Sequence, residues 1–200
     1  MKLVLASKNQ HKLTEMREIL SQFGVEILLQ SELGLDLDPE ENGTTFEENS
    51  LIKAKAVLVA SGLPAIADDS GLEVDALDGA PGVYSHRFGH KNSDEERCLY
   101  LLEQMTNVPE EKRTARFVSV ITCLLPDGRK IVARGTCEGV ILREMRGENG
   151  FGYDPLFYVP ELGKTFAQLS GEEKNAISHR GNALEKFSKL YREMFTYDDK

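Results

Sequence analysis

Met1-Lys2-Leu3-Val4-Leu5-Ala6-Ser7-Lys8-Asn9-Gln10-His11-Lys12 is the stretch on which the fold turns. Its apolar run from Leu3 to Ala6 has no polar interruption, so residues 1–7 read as a buried strand. A helix follows at once. Leu13, Met16, Leu20 and Phe23 recur at three- and four-residue steps, and Gly24 is placed to end the helix. Val25 to Gln30 reads as a second strand. Strand, helix and strand in this order place the chain in the α/β class.

The rest of the chain extends that pattern. An acidic loop, residues 36–42, contains Pro39. Thr45 and Glu48 have capping-box spacing and open a helix through Leu51, Ile52, Val57 and Leu58 that closes near Gly62. Ala65 to Ala67 reads as a short strand ending in Asp68-Asp69, with Ser70-Gly71 turning the backbone. Residues 75–92 read as loop, and Ser93 with Glu96 caps a helix carrying Leu99, Leu102 and Met105. Residues 115–125 and 130–137 form a hairpin about Pro126-Asp127-Gly128-Arg129, which makes the sheet mixed. A glycine-rich loop, residues 147–153, leads to an apolar run at 156–159, and the last helix starts near Ser178. No repeat or linker interrupts the 200 residues, so one domain over residues 1–200 is expected.

Composition narrows the function. The 24 basic and 33 acidic residues give a net charge of −9, and no stretch is densely basic. That disfavours a nucleic-acid partner, which needs a cationic face, and suits a small anionic ligand met by single cations in loops. No run of eighteen apolar residues exists to span a membrane, and no signal peptide is legible. Cys98, Cys123 and Cys137 are odd in number and form no C-x-x-C pair. Neither a zinc site nor a disulfide framework is indicated, and a reducing, cytoplasmic compartment follows.

Four segments carry candidate chemistry. Residues 7–12 join the first strand to the first helix, where open α/β sheets bind ligands and a helix N-terminus attracts anions. Lys12 in that first turn opposes the helix dipole, which a bound phosphate would reverse. An ordinary N-cap followed by solvated lysines fits the same residues. Glu40-Glu41 and Asp68-Asp69 supply carboxylates of the kind magnesium takes beside phosphate oxygens, or else turn and surface acids. Gly150-Phe151-Gly152-Tyr153-Asp154 alternates glycine with aromatics, as a base-stacking platform or a core-packed loop. Lys174, His179 and Arg180 flank the start of the last helix, as ligand donors or as exposed cations.

Taken as a set, these segments resemble one family. The matching residues are Ser7-x-Asn9-x-x-Lys12, Glu41-x-Gly43-x-Thr45-Phe46-x-Glu48-Asn49 and Ala67-Asp68-Asp69-Ser70-Gly71-Leu72. They continue with Gly79-Ala80-Pro81-Gly82-Val83-Tyr84-Ser85, Gly150-Phe151-Gly152-Tyr153-Asp154-Pro155 and Lys174-x-x-x-Ser178-His179-Arg180-Gly181. The chain resembles the inosine triphosphate pyrophosphatases, also called XTP/dITP diphosphatases. The resemblance implies a long mixed sheet flanked by helices, two lobes with a cleft between them, and a homodimer. It implies magnesium-dependent hydrolysis of ITP, dITP and XTP at the α–β anhydride, giving monophosphate and pyrophosphate.

By resemblance, Ser7, Asn9 and Lys12 hold the triphosphate, and Lys8, Gln10 and His11 belong to the same substrate-binding segment. Glu41 and Asp69 bind magnesium, and Asp69 is the general base. Because a metal-bound aspartate is a weak base, the alternative is that Asp69 mainly positions the metal, with the base role passing through a second water or to Asp68. Phe151 stacks on the purine, and Ser70, Gly152, Tyr153, Asp154, Lys174, His179 and Arg180 complete the substrate site. Donors at 174, 179 and 180 would pair with the base 6-oxygen and be left unpaired by adenine. A same-fold enzyme acting on pyrimidine or modified nucleotides, a non-catalytic nucleotide sensor and a nucleic-acid module are the competing readings.

Overall fold

The computed structural model describes residues 2–196. Seven strands form one mixed sheet in the order β2-β1-β3-β4-β5-β6-β7. They are β1 (Lys2–Leu5), β2 (Glu26–Leu29), β3 (Ala65–Val74), β4 (Thr114–Leu124), β5 (Lys130–Ile141), β6 (Phe157–Val159) and β7 (Lys164–Thr165). β1 lies parallel to β2 and β3, while β6 runs antiparallel to β5 and β7. The helices are α1 (Gln10–Ser21), α2 (Phe46–Ser61), α3 (Asp94–Gln104), α4 (Gly171–Ile177) and α5 (His179–Thr196). The α/β class with a mixed sheet is what the sequence leads one to expect.

Two compact units make up the chain. The first comprises Met1–Asp69, Ser119–Gly135 and His179–Lys200, and the second Ser70–Val118 and Thr136–Ser178. Each encloses its own core. In the first, Leu3 and Leu5 of β1 pack with Leu13, Met16 and Leu20 of α1 and with Leu184 and Phe187 of α5. In the second, Leu72, Leu101, Phe157 and Phe166 pack together, and Phe117 stacks on Phe166 with ring centroids 5.5 Å apart. Burying each such side chain contributes about 1.5–3 kcal/mol.

Local chemistry sets the helix ends. Thr45 and Glu48 exchange both capping-box hydrogen bonds at the start of α2, and Ser93 and Glu96 do the same for α3. α2 stops at Gly62, whose φ of 68° is a left-handed conformation that costs glycine nothing. α4 also has a full capping box, Ser170 with Glu173, and extended Ser178 separates it from α5.

β3 corrects the sequence reading most. It runs for ten residues, so Asp68, Asp69, Ser70 and Gly71 lie inside a strand instead of at its end. Aspartate disfavours strands, and local propensity predicts a break there. Charge pairing to distant residues overrides that propensity.

Candidate active site

Asp68 and Asp69 are neighbours in β3 with different surroundings. Asp68 is 1% exposed, and its Oδ2 accepts from Lys12 Nζ at 2.9 Å and Arg180 Nη2 at 3.0 Å. Ser119 Oγ donates to Oδ1 at 2.6 Å. Burial alone would raise its carboxyl pKa, but Arg180 and Lys12 hold it well below the ordinary value. A carboxylate so paired is a poor proton acceptor.

The Asp69 carboxylate is also buried, and its Oδ1 accepts from Lys53 Nζ at 2.8 Å. The same ammonium reaches Glu41 Oε2 at 3.1 Å. Asp69 Oδ2 is buried with no hydrogen-bond partner among the described residues. Burial raises the Asp69 carboxyl despite the neighbouring lysines. An unpartnered buried carboxylate oxygen is costly unless a cation takes it up. No group of three or more His, Cys, Asp or Glu side chains suited to a metal cage occurs among the described residues. Magnesium needs none, since one or two carboxylates beside phosphate oxygens suffice. Glu41 and Asp69, drawn to one ammonium, fit that description.

Sequence reasoning missed Lys53, although a signal was present. Phe46, Asn49, Ser50, Ala54 and Val57 form the buried face of α2. Position 53 falls on that stripe at helical spacing, where a lysine needs a buried acid. Glu15 was also missed. It hydrogen-bonds the Arg180 guanidinium from α1.

The turn before α1 shows both of its expected readings at once. Asn9 Oδ1 accepts the Lys12 N–H at 3.1 Å as an N-cap, and Ser7 Oγ accepts the Asn9 N–H at 3.1 Å. The first turn of α1 contains no acid. Lys12 is not a solvated lysine; its ammonium is directed at Asp68. Lys8 lies outward and pairs with Asp36 at 2.8 Å and Asp38 at 3.7 Å, and Gln10 and His11 are exposed.

On the second unit, the glycine-rich loop is tightly held. Asp154 Oδ2 accepts from the Phe151 N–H at 2.9 Å and from Lys174 Nζ at 2.8 Å. A Cβ on Gly150 would sit 2.0 Å from that oxygen, so only glycine fits there. The Lys174 ammonium lies 4.7 Å from the Phe151 ring centroid, an arrangement that stabilises both. Ser70 is half-buried. Tyr153, expected on the substrate, instead packs in the core with its hydroxyl donating to the Ser85 carbonyl at 2.8 Å. The ring is consumed by packing, which is the usual fate of a buried tyrosine with a satisfied hydroxyl.

His179 and Arg180 do open α5, as expected, but neither is an exposed cation. Arg180 is drawn to acids. Its guanidinium pairs with Asp68 and Glu15 within the first unit.

A profile of the Ham1 family matches residues 3–190. A dITP/XTP pyrophosphatase of Thermus thermophilus is 52% identical over 193 residues, covering 96% of this chain and 93% of that one. The dITP/XTP pyrophosphatase of Desulforamulus reducens is 50% identical over the full length of both. The solved structure of a Ham1 protein from Coxiella burnetii matches with a TM-score of 0.87 at 46% identity, over 96% of this chain and 99% of that one. The Staphylococcus aureus Ham1 protein matches with 0.86 at 45% identity, over 97% and 100%.

Proposed function

The chain belongs to the Ham1 family, and from that membership we propose that it hydrolyses dITP, XTP and ITP at the α–β phosphoanhydride. The products are the nucleoside monophosphate and pyrophosphate, and the role is removal of deaminated purines from the nucleotide pool. Relatives named for dITP and XTP at about 50% identity over nearly the whole chain support the substrate class. The observation that carries the chemistry is the buried Asp69 carboxylate, bridged to Glu41 through Lys53 and with Oδ2 unpartnered.

The residues divide the work. Ser7, Asn9 and Lys12 receive the triphosphate at the N-terminus of α1, where backbone N–H groups and the helix dipole favour an anion. An ammonium has three donors, so Lys12 serves Asp68 and a phosphate oxygen together. Magnesium held by Glu41 and Asp69 would supply positive charge to the phosphate oxygens during bond cleavage. Lys53 draws those two carboxylates to one ammonium. The proton of the attacking water passes to Asp69 through a second water, since a carboxylate bound to the metal is itself a weak base and Asp68 is engaged by Lys12 and Arg180. Phe151 offers the purine its ring, with Asp154 and Lys174 fixing the loop. His179 is the candidate donor for the base 6-oxygen.

A homodimer in the cytoplasm completes the proposal. No described helix is long and apolar enough to cross a membrane. The test is product analysis with ITP, dITP and XTP in magnesium buffer, with and without a chelator. Monophosphate and pyrophosphate in equal amounts, lost on chelation, are expected. Orthophosphate as the first product, or equal turnover of ATP, would reject the reading.

A further inference from the structure

Phe151 is flanked by two backbone N–H groups, its own and that of Gly152, and each ends on a carboxylate. The Phe151 N–H donates to Asp154. The Gly152 N–H donates to Asp94 Oδ2 at 2.7 Å, a contact spanning 58 residues of sequence. The Gly152 carbonyl accepts from Cys98 Sγ at 3.4 Å. Asp94 and Cys98 are four residues apart and so share one face of α3. One helix face thus grips both polar groups of Gly152.

Asp94 is itself secured. Its Oδ1 pairs with the Arg97 guanidinium, which is 6% exposed and donates to the Lys91 carbonyl at 3.1 Å. An acid in the first turn of a helix is favourable in any protein. That accounts for the charge of Asp94 but not for the direction of Oδ2 toward a distant loop. Fixing the N–H groups on both sides of Phe151 fixes its φ and ψ, and with them the direction of its side chain.

We infer that Asp94 is a positioning residue for purine binding, holding the Phe151 ring in place through the Gly152 N–H as Asp154 does through the Phe151 N–H. This rests on the reading of residues 150–154 as the purine platform. Charge-assisted hydrogen bonds are about twice as strong as neutral ones, which suits a loop that must not move when the base arrives. Burial would raise the Asp94 carboxyl, but the Gly152 N–H and Arg97 outweigh it and keep the group ionised.

The experiment compares competitive inhibition by IMP and by pyrophosphate for wild type, Asp94→Ala, Asp94→Glu and Phe151→Ala, with ITP as substrate. Asp94→Glu retains the charge for Arg97 and the helix start but displaces the carboxylate from Gly152, so it tests the idea if the alanine variant folds poorly. Both Asp94 variants should weaken IMP inhibition and raise KM for ITP roughly tenfold or more, since a displacement of about 1 Å in a positioned group has effects of this order. Pyrophosphate inhibition should stay unchanged, which a general loss of structure would not allow. If Phe151→Ala weakens IMP while both Asp94 variants behave as wild type, the inference is overturned. If Phe151→Ala leaves IMP inhibition intact, the purine-platform reading falls, and the inference falls with it.

Discussion

Replacing Lys12 by alanine should destabilise the free enzyme as well as weaken triphosphate binding. From sequence alone the opposite follows: a lysine in a first turn opposes the helix dipole, so its removal should cost nothing. Relief of that opposition is worth about 0.3–1 kcal/mol. Against it stands the bond to Asp68, whose side chain has no exposure, at 2.9 Å. A hydrogen bond to a buried charge contributes about 1.5–3 kcal/mol. Asp68 keeps Arg180 and Ser119, so the larger penalty for an isolated buried charge does not apply. The net loss is about 1–2 kcal/mol, or about 2–8 °C in Tm for a chain of this length. Thermal and urea unfolding without nucleotide, followed by circular dichroism, measures it. A Lys12→Ala protein melting within about 1 °C of wild type would show that the ion pair contributes nothing and that the lysine serves only the phosphate.

Arg180→Ala should be harsher, about 3–5 kcal/mol, because it leaves Glu15 and Asp68 both short of a buried cation. It should leave the ITP-to-ATP rate ratio of the surviving folded enzyme unchanged, whereas His179→Ala should lower that ratio; parallel kinetics on the two nucleotides decide it. Asp69→Asn should abolish turnover in magnesium with an unchanged melting curve, since an amide oxygen still accepts from Lys53, and wild-type-like activity would refute its assigned role. Burial pushes the thiols of Cys98 and Cys123 up to about 12 and that of Cys137 to about 11, so at pH 8 all three remain protonated. Native protein should resist iodoacetamide at that pH and urea-unfolded protein should not, as mass spectrometry would record.

Local signals in the sequence were reliable where the structure is local. The capping boxes of α2 and α3, the turn at 126–129 and the start of α5 all lie where side-chain chemistry puts them. The same spacing at Ser170 and Glu173 marks α4, a helix that the reading for function passed over. The length of β3 was not legible, because what sustains it is long-range. Asp68 depends on Arg180, 112 positions away, and on Ser119, 51 away. Periodicity carries no information on such pairs. The motif residues give the acids and cations of the candidate site as types, but not which acid each cation faces. The pairing of Arg180 with Asp68 and Glu15, and of the Tyr153 hydroxyl with the Ser85 carbonyl, is of that long-range kind, whereas Lys53 is readable from a buried helix stripe.

The composition of the two units has a consequence for synthesis. The second unit draws on residues 70–118 and 136–178, so all of its chain is synthesised before α5. The first unit joins the first 69 residues to α5, the last helix, and cannot close until that helix is made. Until then the apolar faces of β1 and α1 lack Leu184 and Phe187, and Asp68 lacks its guanidinium. The earliest part of the chain to be made is therefore among the last to be finished. A released chain truncated before residue 179 would hold every residue of the second unit and leave the first unit with an open hydrophobic face for chaperones.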